Sequence, residues 1–293
     1  MPNLYAGTLD TRKKMNYENR VTVFIDILGF KDLLSKTIGK KGEDDSEKIE
    51  EIFSAYKTIR DVWDLDEAEP KYGKSLHKNS KEITTFSDCL VISFNTHEKS
   101  EIFYTLLEIK WMIMRLIYRG ILCRGAITYG KLIHTKEVLF GPALAEAYIL
   151  ESKAALYPRV ILHKDIIDLA GTARSEQHSS EEEKEYVESL LEKDSDGMYY
   201  IDYFAKAQEE LDDPQYGFPD YIDKIGQKIR KGLMGSSNVY KSDIKVKYRW
   251  MKERYNKLID SVQNENFIER LKKDGEFELA ETYMKFKKIN PSV

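Results

Sequence analysis

Cysteine is almost missing from this chain: two residues, Cys89 and Cys123, in 293. Both sit inside apolar, strand-like runs, a setting that suits reduced core thiols better than a disulfide or a metal pair. Histidine is scarce as well, with five residues and no metal-ligand spacing. Neither sign of charge dominates, since 46 Lys and Arg stand against 50 Asp and Glu for a net charge of −4. That balance argues against a nucleic-acid surface, which is normally basic. No run approaches the roughly 20 apolar residues of a membrane span. The polar start, MPNLYAGTLDTRKKMNYENR, lacks the apolar core of a signal peptide. A cytoplasmic protein without a membrane or nucleic-acid partner is expected. No serine or cysteine has a nucleophile setting, so covalent catalysis has no support. No internal repeat is evident.

What the chain does have is 42% hydrophobic residues, enough for a sizeable core. Two β-branched and aromatic runs stand out, Val21 to Phe30 (VTVFIDILGF) and Ile83 to Phe94 (ITTFSDCLVISF). They read as buried strands, each interrupted by one aspartate, Asp26 or Asp88. A carboxylate at the end of a buried strand is costly to ionise unless it is paired, and a divalent cation is a common partner. Ile27-Leu28-Gly29-Phe30 then turns into a helix-like run from Lys31 to Ile38. Backbone N–H groups there would lie beside Asp26 and could cradle phosphate.

Further along, a long amphipathic helix is expected from Ser46, with Ser46 as its cap and Ile49, Ile52, Phe53, Tyr56 and Ile59 on one face. Residues 66–81 read as a polar loop. Ser87-Asp88 marks a hairpin tip, and Glu101 to Tyr118 a second helix. Ile121 to Tyr129 is strand-like and ends at a Gly130-Lys131 turn, followed by a short strand at Val138 to Phe140. Gly141-Pro142 opens an alanine-rich helix through Glu151, and Arg159 to Leu162 is a further strand. Beyond it come a charged, solvated helix from Glu181 to Lys193, a strand in Gly197 to Tyr203, and helices with Val246, Trp250 and Leu258 as apolar positions. This order describes an α+β fold: an N-terminal arm over 1–19, a sheet-and-helix domain over 20–164 and a mostly helical C-terminal extension over 165–293.

Each singled-out residue also has a plainer reading. Asp26 suits a helix cap, Asp88 a turn, and Arg124 a structural ion pair. Tyr56 fits the core as well as a base-stacking position.

The motifs together resemble the class III nucleotide cyclase catalytic domain over about residues 20–162. Phe24-Ile-Asp26-Ile27-Leu28-Gly29-Phe30 is similar to that family's first-strand motif, Phe86-Ser87-Asp88 to its hairpin, Arg124 in CRGAITYG to a strand arginine, and GPALAEAYILE to its next helix. The resemblance implies a ferredoxin-like palm and two divalent cations, Mn²⁺ or Mg²⁺, held by Asp26, Asp88 and the carbonyl of Ile27. It implies triphosphate binding by Gly29, Phe30 and Arg124. The family's purine-reading lysine and aspartate fall at Thr84 and Val138, which with Tyr56 are the candidate base pocket. Its transition-state asparagine and arginine fall at Ala145 and Ile149. Those losses leave open a catalytically inactive module that only binds nucleotide, and a purine cyclase with an unusual pocket.

RGAITYG, GPAL-EAY, Ala155-Leu-Tyr-Pro-Arg159-Val and Lys247-Tyr-Arg-Trp250 together look similar to the pyrimidine cyclases of bacterial Pycsar anti-phage defence. That likeness implies a homodimer with active sites at its interface, cyclic UMP or cyclic CMP made from UTP or CTP, and a separate effector that senses the product.

Overall fold

β1 (Glu18–Leu28) is the strand on which the rest is built. Its residues alternate: Val21, Val23, Ile25 and Ile27 join the main core, while Arg20, Thr22, Phe24 and Asp26 point to the other face. This computed structural model describes residues 16–63 and 80–290. Most of the expected N-terminal arm and of the 66–81 loop lies outside the described residues.

After β1 come α1 (Phe30–Ser35) and α2 (Ser46–Val62), then the hairpin of β2 (Glu82–Phe86) and β3 (Cys89–Asn95). Next are α3 (Glu101–Tyr118) and β4 (Leu122–His134). β3 and β4 pair antiparallel on either side of β1, and β2 pairs with β3. The order β2-β3-β1-β4, with α2 and α3 as connections, is the split βαβ arrangement of a ferredoxin-like palm in an α+β protein.

Several details differ from the sequence reading. Asp45, not Ser46, caps α2, because its carboxylate accepts the Lys48 N–H at 3.1 Å. Ala55, Thr58 and Ile59 form the buried stripe of α2, and Ile49 and Phe53 lie on its exposed flank. β4 does not stop at Gly130 but runs to His134, where it pairs with β5 (Leu139–Phe140).

α4 (Pro142–Lys153) follows and lies across β1 and β4 on the face opposite the main core. β6 (Val160–Leu162) then pairs parallel with β4. α5 (Lys164–Thr172) and α6 (Ser180–Ser189) pack together. α6 ends before the expected Lys193 and buries Glu183 and Val187, so it is not fully solvated. β7 (Leu191–Lys193) and β8 (Tyr199–Ile201) extend the same sheet through β6. The division after residue 164 therefore falls within one eight-stranded sheet of the described residues.

The helices α7 (Gly217–Gly235), α8 (Ser242–Val262), α9 (Glu265–Lys273) and α10 (Phe277–Lys285) complete the chain. Arg159 fastens α8 to the sheet. Its guanidinium is fully buried and pairs with Asp194 and Asp196 in the β7–β8 turn. Trp250 and Arg254 of α8 also donate to Asp194, at 2.7 and 2.5 Å. The Tyr157 ring stacks on Trp250 at 5.5 Å. Two sequence motifs some 90 positions apart thus meet in one clamp. Behind it, the Arg159 carbonyl accepts the Gly125 N–H beside Arg124.

Truncating Arg159 takes one of two cationic partners from the buried Asp194, the other being Arg254, and the salt bridge from the exposed Asp196. Arg159→Ala is expected to cost about 3–5 kcal/mol of stability in urea unfolding. An unchanged urea midpoint would show that the clamp contributes nothing to the fold.

Candidate active site

The end of β1 carries an acid that both neighbouring strands frame. Asp26 is in register with Cys89 of β3 and with Arg124 of β4, so the three side chains share the α4 face. Asp88 enters from the hairpin tip, which turns tightly enough to hold Ser87 at φ 51°. Ligand atoms of Asp26, Asp88 and Cys89 all lie within 4.8 Å of one another. The two aspartates therefore converge rather than being separated by packed hydrocarbon.

Ile27 faces the same tip. Its N–H donates to the Asp88 carbonyl at 3.0 Å, and in an extended residue the C=O leaves on the same side as the N–H. Gly29 then adopts φ 77°, a left-handed conformation that favours glycine, and starts α1 without a side-chain cap. Asp26 is not that cap. The first-turn N–H groups of a helix have no partner within it, so the turn offers donors beside the carboxylates. Phe30 itself is buried in the core, where its ring meets Tyr56 edge-on.

A third acid joins them that the sequence reading passed over. Glu151 of α4 is buried and ion-paired with Arg124 Nε, while Asp26 Oδ2 lies 3.8 Å from the same nitrogen. The available signal was the spacing Ala143, Ala147, Glu151, which puts the glutamate on the small-residue stripe that packs against the sheet. Burial, then the charges of Glu151 and Asp88, push the Asp26 carboxyl up to about 6, against a smaller opposing pull from Arg124. Burial raises Glu151 as well, with Arg124 opposing. Burial and the neighbouring acids push the Cys89 thiol up to about 12, so it stays protonated at neutral pH.

Three acids against one arginine, with a backbone carbonyl added, make an oxygen-rich donor set that suits a hard divalent cation. Glu151 pairs with the Nε of Arg124, and a guanidinium has further N–H donors at its end that suit an anion.

The candidate base-pocket residues are not drawn into one place. Tyr56 belongs to α2, on the core side of the sheet, and donates its hydroxyl to the Ser87 carbonyl, bracing the hairpin tip. Thr84 looks onto the other face and meets His134 at 2.9 Å. Val138 lies in the β4–β5 turn, where its carbonyl accepts the Thr135 N–H. Ala145 and Ile149 lie on the outward side of α4.

No protein-family model matches the sequence, and no curated protein does. Among solved structures, the chain is similar to two bacterial light-regulated adenylyl cyclases. One is 16% identical over 52% of this chain and 79% of its own length, with a TM-score of 0.33. The other is 14% identical over 58% of this chain, with a TM-score of 0.34, and this chain spans 57% of its length.

The raised Asp26 carboxyl has a definite sign. Its contribution to stability is fully present below its ordinary value of 3.8 and is lost as pH rises through about 6. The metal-free protein at neutral pH thus carries a penalty that Asp26→Asn removes. The variant is expected to melt above wild type at pH 7.5 without metal, with the gap narrowing toward pH 5. Mn²⁺ at a hundredfold excess over its Kd should stabilise wild type by about 2.7 kcal/mol and leave the variant unmoved. Equal Mn²⁺-induced shifts in the two proteins would contradict the assignment of Asp26 as a ligand.

Proposed function

We propose that this protein is a cytoplasmic pyrimidine nucleotide cyclase, a lyase that closes UTP or CTP to the 3′,5′-cyclic monophosphate. In that reaction the ribose 3′-oxygen attacks the α-phosphorus, a new P–O bond forms, and the bond to the β-phosphate oxygen breaks to release pyrophosphate. The 3′-hydroxyl proton leaves to solvent. The observation that carries the reading is the meeting of Asp26 and Asp88 at the end of β1, beside the Gly29 turn and Arg124.

Asp26, Asp88 and the Ile27 carbonyl would hold two divalent cations, Mn²⁺ or Mg²⁺. When bound, such cations lower the pKa of an attacking hydroxyl and neutralise departing phosphate charge. The amides at Gly29 and Phe30 orient the triphosphate tail. Arg124 contributes its terminal N–H groups to phosphate oxygens, and Glu151 keeps its plane fixed. Tyr56 positions Asp88 through the hairpin tip.

The rim of this site is apolar and open. Phe86 is 78% exposed, Tyr148 56% and Ile149 48%, all around the face that carries the carboxylates. Such a rim suits a second copy of the chain, which supports a homodimer with active sites at its interface. The absence of a lysine at Thr84 and an acid at Val138 supports a pyrimidine over a purine. The motif likeness to Pycsar cyclases extends the proposal to a messenger made in anti-phage defence and sensed by a separate effector.

A second reading, a nucleotide-binding module without turnover, draws on Ala145 and Ile149. Neither can donate to a developing phosphate charge from the outward side of α4.

Incubating the protein with each of the four nucleoside triphosphates and Mn²⁺ separates these readings. Cyclic UMP or cyclic CMP with pyrophosphate is expected, and Asp88→Ala should leave no measurable turnover. Product from ATP or GTP alone would overturn the pyrimidine claim. Nucleotide-dependent thermal stabilisation without pyrophosphate release would establish the inactive module.

A further inference from the structure

The turn between α7 and α8 carries an apolar surface that nothing in the described chain covers. α7 ends at Gly235, and Val239–Lys241 form a short 3₁₀ turn before α8 begins. The Asn238 side chain accepts the Tyr240 N–H at 3.0 Å, and Lys241 Nζ donates to the Gly235 carbonyl at 3.2 Å, so the turn is pinned at both ends. It nevertheless displays its apolar side chains outward. Tyr240 is 90% exposed and Val239 76%, with Met234 of α7 at 62% and Ile244 of α8 at 38%. Apolar residues exposed singly are ordinary, whereas a group of them on one turn marks a surface that meets something.

Charge around this turn is one-sided. From Lys231 to Lys252 stand six cations and one acid, Asp243, in a chain whose net charge is −4. The even balance of the whole chain hides this local excess. Asp243 is taken by Lys247 at 3.9 Å. Lys241, Lys245, Arg249 and Lys252 follow one another at helical spacing, along one side of the start of α8. Among the described residues no acid pairs with any of these four. Like charges at that spacing repel, so the stripe gains from an anionic partner outside the chain.

The apolar part decides between anionic partners. Nucleic-acid phosphates would answer the cations, but Val239, Met234 and Ile244 have no ring on which a base could stack. A bilayer with anionic headgroups answers both parts at once. Aliphatic side chains on a protruding turn enter the acyl boundary, a tyrosine lies at headgroup level, and lysines meet the headgroup charge. Among the described residues no helix is long and apolar enough to cross a membrane, and the contact argued here lies at the surface.

We infer that the α7–α8 turn is a docking surface for an anionic lipid bilayer, with Val239 and Tyr240 entering it and the α8 cations resting on its headgroups. The inference does not depend on the cyclase reading, because the turn shares no residue with the acidic site.

Sedimentation of the full chain with lipid vesicles tests this. Binding is expected to vesicles of phosphatidylcholine and phosphatidylglycerol in equal parts, and none to phosphatidylcholine alone. A lysine near an anionic surface contributes about a fivefold gain in partitioning, so Lys245→Gln with Lys252→Gln should weaken binding roughly thirtyfold. Val239→Ser with Tyr240→Ser should abolish it and, both side chains being exposed, should melt with wild type. Wild type that stays in solution with the anionic vesicles would overturn the proposal, as would binding that either variant keeps at full strength. Tighter binding to single-stranded DNA or to poly-glutamate than to the anionic vesicles would also overturn it, giving the surface to a nucleic acid or to an acidic protein.

Discussion

Like charges held close together in a half-buried place are the constraint on which this molecule turns. At the end of the strand that organises the whole sheet Asp26 meets Asp88, and Asp26 and Glu151 share one arginine. Lost hydration and the neighbouring acids oppose ionisation of Asp26, whose carboxyl is pushed up to about 6, and burial raises Glu151 as well. A fold keeps such a cluster only if the surrounding structure enforces it. Here the enforcement is strong: β1 is paired on both sides along its length, the hairpin tip is braced by Tyr56, and α4 is seated over the same face. A bound cation would turn the repulsion into attraction, which makes the site a cost to the empty protein and a gain to the loaded one.

The remainder of the chain supports that end of the sheet from behind. Gly125, next to Arg124, is tied to β6 through the Arg159 carbonyl, and the Arg159 side chain is locked between the β7–β8 turn and α8. The C-terminal helices are thus mechanically continuous with the strand that presents the arginine. Their role in the fold is visible as one aromatic and ionic clamp around Trp250.

Much of the architecture was legible because hydrophobic periodicity is a local signal. β1, the hairpin with Asp88 at its tip, and α3 from Glu101 to Tyr118 follow from alternation and from apolar residues at helical spacing. The features that escaped depend on distant partners. Asp45 outcompeted Ser46 as a cap through a single backbone bond, and β4 continued past Gly130 because β5 folds back onto it. Glu151 reads as an ordinary polar helix residue until α4 is laid on the sheet. His134 is a lone histidine at a strand end, and only the stacking of three strands places it between Ser93 and Thr84. In the site, Asp26, Asp88 and Arg124 were readable as a motif, while the groups that tune them were not.

The central claim is that the two aspartates hold divalent cations over which a nucleoside triphosphate lies. Crystals grown with Mn²⁺ and a non-cyclisable UTP analogue, measured at the manganese absorption edge, examine it most directly. The account requires anomalous density between Asp26 and Asp88, with the triphosphate running past Gly29 toward Arg124. Manganese bound elsewhere, with both carboxylates free of metal, would contradict it.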